Sequence, residues 1–158
     1  MNAFFRSVMC AFVLVIGIGS ASASAEQLND GRDPDEILAI AKSFGTAVME
    51  KDSLGDPKIS GSIDGTKYGI YFYGCKAGKS CQDIQFAAGW SNVKVSLASI
   101  NEWNRTRRIG KAYLDKINDP MLELWIDVSN GASVKTLENA FSWWRSIIKG
   151  FKKDVLKQ

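Results

Sequence analysis

The octapeptide Gly74-Cys75-Lys76-Ala77-Gly78-Lys79-Ser80-Cys81 holds the residues that most suggest chemistry in this chain. Gly78-Lys79-Ser80 is how a phosphate-cradling P-loop ends, with backbone N–H groups, a lysine and a hydroxyl arranged around a nucleotide. That loop needs four residues between its first glycine and the Gly-Lys-Ser. Gly74 leaves only three, and position 73 is tyrosine. It also needs a following helix whose N-terminus faces the phosphates, whereas Cys81 to Trp90 alternates like a strand. Nucleotide binding is therefore rejected. With its cysteines included, the segment reads as a β-hairpin tip closed by a Cys75–Cys81 disulfide. Five residues with Gly78 at their centre suit a hairpin loop. Facing hairpin positions bring β-carbons near the separation such a bond requires. Two free thiols are the plain alternative, and nothing marks either as an activated redox cysteine.

The chain has no histidine at all. This removes Ser-His-Asp and Cys-His nucleophilic sets and the commonest metal ligand together. Zinc would need more thiolates or imidazoles than two cysteines supply. Glu123 and Asp127 are a conceivable carboxylate pair for glycoside chemistry, but their spacing places both on the outer face of a strand, where solvated charge is the ordinary reason for acids. The expectation is a protein without enzymatic activity, cofactor or metal.

The first 25 residues have the layout of a secretory leader. Arg6 is their only charge, Val8 to Gly19 is almost wholly apolar, and Ser20 to Ala25 alternates serine with alanine. The apolar run is too short to span a bilayer, which takes roughly 20 residues. The expected cut follows Ala25, with Ala23 as second choice. Cys10 leaves with the leader, so Cys75 and Cys81 are left to pair in an oxidising compartment. A periplasmic or secreted location follows, with no membrane anchor after cleavage. Losing Arg6 lowers the whole-chain charge of +3 by only one, too mild a balance to argue for nucleic acid. Removing 25 of 158 residues leaves 133, enough for a single domain at 33–158 behind a polar lead at 26–32.

Asp33-Pro34-Asp35-Glu36 predicts a helix start, with Asp33 as cap, and Ile37, Ala41, Phe44 and Val48 as a buried stripe running to about Ser53. Three antiparallel strands are expected next. Ile59, Gly61 and Ile63 alternate in the first, and Asp64-Gly65 makes a tight turn into Tyr68–Tyr73. Ile84, Phe86, Ala88 and Trp90 form one face of the third. Ser99 and Glu102 read as a capping box opening a second helix to about Asn118, with Ile100, Trp103, Tyr113, Leu114 and Ile117 on its apolar side. Met121 to Val128 alternates as a fourth strand. Ser133 caps a last helix with Val134, Leu137, Phe141, Trp144, Ile148, Phe151 and Val155 spaced three and four apart. The fold class is α+β: an antiparallel sheet with helices packed against it, in the order α-β-β-β-α-β-α.

The last helix has two readings. Ala140, Trp143 and Ile147 widen its stripe beyond a coiled-coil seam, which suits packing across a sheet; a homodimer face is the second reading, with Trp143 the residue surplus to one core. Arg145, Lys149, Lys152, Lys153 and Lys157 complement the helix dipole as a solvated face, or form a contact patch for an acidic envelope polymer.

The segment from Asn101 to Asp115 resembles the YbjN-domain family. The likeness rests on Asn101, Trp103-Asn104, the basic Arg107-Arg108 and Ala112-Tyr113-Leu114-Asp115. It extends through Gln85-Phe86, Leu122 to Asp127 and Gly131 to Trp144, about residues 33 to 156 in all. Ile109 stands where the family often has an aromatic residue. The resemblance implies a fold like that of type III secretion chaperones, no enzymatic activity, and a loose role in sensory-transduction regulation. Trp103 reads as core and Asn104 as an amide tied to nearby backbone, with ligand contact as the alternative. Arg107 and Arg108 read as surface charge, with pairing to Asp115 or Asp127, or contact with a partner, as the alternatives. The function expected is binding of a protein partner in the cell envelope. A rival is a small-molecule or lipid pocket lined by Tyr68, Phe72, Phe86, Trp90 and Trp125.

Overall fold

Gly45 ends the first helix far short of Ser53. The computed structural model describes residues 32–158, and in it α1 (Pro34–Phe44) gives way at Gly45 to strand β1 (Thr46–Lys51). A Cβ at Gly45 would run into the Ser62 carbonyl oxygen of the neighbouring strand, so only glycine lets the chain turn that closely. Val48, expected in the helix stripe, instead lies on β1 and is 55% exposed. Asp33 caps α1 as predicted, accepting from the Asp35 N–H at 3.0 Å. The expected leader at 1–25, its cut sites, Cys10, and residues 26–31 of the polar lead lie outside the described residues.

Strands β2 (Pro57–Ile63), β3 (Thr66–Tyr73) and β4 (Asp83–Gly89) form the predicted meander. Asp64 and Gly65 have φ of 47° and 77°, the two left-handed residues of a tight hairpin turn between Ile63 and Thr66. Trp90 falls just beyond β4 and packs its ring 5.2 Å from Phe151.

Helix α2 (Leu97–Thr106) differs from its prediction at both ends. Ser96 is the cap, accepting from the Ser99 N–H at 3.1 Å, while Glu102 is held by Arg105 rather than closing a capping box. Past Thr106 the chain leaves the helix, turns at Gly110 (φ 84°) and enters strand β5 (Lys111–Leu114). Tyr113 and Leu114 are thus strand residues, and Ile117 is 69% exposed in the turn that follows. Strand β6 (Pro120–Asp127) and helix α3 (Val134–Phe151, capped by Ser133) lie where the patterns put them. Val134 is not part of the buried stripe, because it occupies the first helical position at 36% exposure. A wide π-helical turn (Lys152–Leu156) continues α3.

The observed order is therefore α-β-β-β-β-α-β-β-α, an α+β domain with one six-stranded antiparallel sheet in the spatial order β1-β2-β3-β4-β6-β5. The two strands missing from the prediction, β1 and β5, are the sheet's edges. Ile59, Ile70, Ile84, Phe86 and Leu122 point to one face and are fully buried. They meet Leu137, Phe141 and Trp144 of α3, and Ile37 and Ala41 of α1 contribute from the side of β2. Aromatic rings lock this layer: Phe86 lies 4.9 Å from Phe141 and 5.6 Å from Trp144, and Phe44 stacks on Phe141 at 5.2 Å. Trp103 brings α2 into the same core at 5.2 Å from Phe151.

Candidate functional site on the open sheet face

Because the strand repeat is two, the other face of the sheet is set by the same register. None of the residues on it is buried. Reading across the strands, one row is Val48, Ser60, Gly69, Ala87, Glu123 and Lys111. The adjacent row is Glu50, Lys58, Tyr71, Gln85 and Trp125. The small residues Val48, Ser60, Gly69 and Ala87 beside the longer Lys58 and Tyr71 make a trough over β1 to β4, a concavity of about 540 Å³. Trp125 (58% exposed) and Tyr73 (46%) lie on the same face outside it.

Polar contacts run across this face. Tyr73 donates to Gln85 Oε1 at 2.9 Å, and Lys58 lies 5.4 Å above the Tyr71 ring. Tyr113 donates to Glu123 Oε1 at 2.6 Å, and Lys111 reaches the other carboxylate oxygen at 3.2 Å. Burial, reinforced by Glu123, pushes the Tyr113 phenol up to about 12. The carboxylate pair considered for glycoside chemistry is engaged elsewhere. Glu123 serves Tyr113 and Lys111, and Asp127 is held below its ordinary range by hydrogen bonds from Ser129. Among the described residues, no group of three or more His, Cys, Asp or Glu side chains is placed to hold a metal ion.

The Asn101–Asp115 segment does structural work at the sheet's edge. The Asn104 amide donates to the Ala112 carbonyl at 2.9 Å and accepts from the Ala112 N–H at 2.9 Å. It pairs with β5 as another strand would, closing that edge to strand addition. Trp103 is 3% exposed and donates from Nε1 to the Gly110 carbonyl at 3.3 Å. Arg107 does not pair with Asp115 or Asp127. It lies 5.0 Å over the Trp103 ring and bonds Asp154 beyond α3. The expected carboxylates are committed to turns: Asp115 accepts from the Ile117 and Asp119 N–H groups at 2.9 Å each. Arg108 and Asn101 are exposed, and Arg108 has no ion pair among the described residues. The structure thus brings Trp103, Asn104 and Arg107 together at one end of the helical layer. Tyr113 lies on the open sheet face, and Trp143 (49% exposed) lies on α3 away from both.

Cys75 and Cys81 are joined by a disulfide. Lys76 and Lys79 exchange backbone hydrogen bonds of 2.7 and 3.0 Å around Ala77-Gly78. The Lys79 ammonium reaches Asp33 at 3.0 Å. The Cys81 N–H also donates to the Arg32 carbonyl at 3.0 Å, so the hairpin tip is tied to the start of α1. The five residues expected to line one ligand pocket do not do so. Tyr68, Phe72 and Phe86 are packed into the inner core beneath α3, Trp90 covers Phe151, and Trp125 is on the opposite face.

Residues 33–157 match the model of the YbjN family, described as "Putative bacterial sensory transduction regulator". The chain belongs to the YbjN family. It matches no curated protein and no solved structure. The family description is that of a regulator and names no reaction, which agrees with a binding or regulatory role. The trough itself was missed from the sequence. The outward-facing Tyr71, Tyr73 and Trp125 were visible as alternate strand positions, but only the placing of β4 between β3 and β6 sets them on one face, with Gln85 between Tyr71 and Trp125.

Proposed function

We propose that this YbjN-family chain is a non-enzymatic binding protein of the bacterial cell envelope that holds a segment of a partner protein across its open sheet face. The observation that carries this reading is the uncovered sheet face, which holds a concavity and, elsewhere on the same face, the exposed Trp125 and Tyr73. Such amphipathic aromatics contribute large contact area at protein interfaces and lose little entropy when fixed. Location in the envelope is supported by the Cys75–Cys81 bond, since disulfides persist in oxidising compartments, and by the Ser/Ala run before Glu26. The exposure of Trp143 favours self-association through α3 as a second contact.

Two experiments test the reading. Intact mass of the exported protein, with and without reductant, is expected to show a chain starting at Glu26 with one reducible bond; a retained leader sinks the envelope assignment. Partner capture is expected to fail for the folded Trp125→Ala/Tyr73→Ala variant. Undiminished capture by that variant, or a turnover abolished by Glu123→Gln in folded protein, overturns the binding function.

A further inference from the structure

Charged residues stand opposite one another at three places on the open sheet face. Glu50 of β1 faces Lys58 of β2, and Lys111 of β5 faces Glu123 of β6. Each of these closes an ion pair, at 3.7 and 3.2 Å. The third place differs, because Asp83 of β4 lies directly opposite Asp127 of β6. Like charges so placed destabilise a sheet. Neither carboxylate has a lysine or arginine within ion-pairing distance among the described residues. Exposed rings flank the two acids. Tyr73 faces Asp83 from β3 and is 46% exposed, and Trp125, two residues before Asp127 on the same face, is 58% exposed. The Tyr73 hydroxyl donates to Gln85 Oε1 at 2.9 Å, and Gln85 lies opposite Trp125, so the rings and the acids form one block at this end of the face.

Solvation accounts for a single exposed acid. It does not account for two opposed carboxylates beside exposed rings, on a face whose other strand acids each face a lysine. We infer that the partner segment held on this face is anchored here by an arginine side chain. Its guanidinium meets Asp83 and Asp127 and lies against the Trp125 ring. Repulsion between the acids is thereby replaced by charge-assisted hydrogen bonds and a cation–π contact. A planar guanidinium can stack on indole and bond two carboxylates at once, which a compact ammonium does less well. The inference rests on the protein-binding reading and adds the chemistry of the segment.

NMR titration of the intact protein with the blocked peptide Gly-Gly-Arg-Gly-Gly tests this. Shifts are expected at Tyr73, Asp83 and Asp127 and at the Trp125 indole N–H. The lysine counterpart is expected to bind more weakly, and the citrulline and glutamate counterparts not at all. Asp83→Asn/Asp127→Asn, with an unchanged circular dichroism spectrum, is expected to bind the arginine peptide roughly fivefold or more weakly. Asp83→Asn alone removes the repulsion, so its thermal midpoint is expected to rise while its peptide binding falls; a residue kept for stability would do the reverse. The inference is overturned if the arginine peptide does not bind, if the lysine or citrulline peptide binds as tightly, or if the double variant binds unchanged. Partner capture separates this claim from the one it rests on. Capture lost with Trp125→Ala/Tyr73→Ala but undiminished with Asp83→Asn/Asp127→Asn overturns the arginine anchor and leaves the open face as the binding surface.

Discussion

Asn104 carries out at the level of one side chain what a further strand would do for the sheet. Its amide presents a donor and an acceptor on separate atoms to the two backbone groups of Ala112, which a single hydroxyl oxygen or an ionised side chain does not. Asn104→Ala removes both bonds, each worth about 1 kcal/mol net. The expected outcome is a loss of about 2 kcal/mol in urea unfolding, with faster hydrogen exchange at Ala112. Asn104→Asp keeps the acceptor and is expected to fall between. Phenols raised by burial are expected to weaken the fold at alkaline pH. Burial pushes the phenols of Tyr68 and Tyr113 up to about 12, with Glu123 adding to the effect at Tyr113. The unfolded phenol ionises near 10, so the folded state disfavours tyrosinate. Stability from this source is complete below pH 10 and is lost as pH rises through 12, at up to about 1.4 kcal/mol per unit for each group. Unfolding midpoints measured from pH 9 to 12 are expected to fall over that window. They are expected to fall less steeply in Tyr113→Phe.

Among the elements, the clipped hairpin tip links two parts of the chain. The disulfide closes a short loop, worth about 2 kcal/mol if its effect is chain entropy. Because Lys79 and Cys81 reach Asp33 and Arg32, the clip also supports the start of α1. Reduction, or Cys75→Ala/Cys81→Ala, is expected to lower stability by about that amount. Faster exchange is expected at residues 34–37 as well as in the loop; exchange confined to 76–80 contradicts the coupling.

At the scale of the described fold, α1, α2 and α3 lie on one face of the sheet, so tryptophans on the two faces differ in what they contribute. Trp144 is fully buried between α3 and the sheet, and Trp125 is 58% exposed on the other side. Trp144→Ala is expected to cost about 3–5 kcal/mol through lost burial and the cavity left behind. Trp125→Ala is expected to stay within about 0.5 kcal/mol. Thermal unfolding of both variants checks this asymmetry, and a large cost at Trp125 contradicts an uncovered face.

Local pattern alone determined α3, the Asp64-Gly65 hairpin, the inward faces of β2, β3, β4 and β6, and the cysteine-flanked loop. In each, the residues that decide are a few positions apart, and burial of one face imposes their periodicity. The resemblance carried by Trp103-Asn104 and Ala112–Asp115 likewise named the family. The edge strands β1 and β5 were read as extensions of helices for a physical reason. Ile37, Ala41, Phe44 and Val48 keep helical spacing by coincidence, and what turns Val48 outward is the pairing of Thr46–Lys51 with β2 across the close approach at Gly45. Tyr113 and Leu114 likewise leave the helix only because Gly110 and the pairing with β6 draw them away. The trough and the opposed Asp83 and Asp127 depend on tertiary structure still more completely. Their residues come from separate strands, and strand order and register, which chain neighbours do not encode, bring them together.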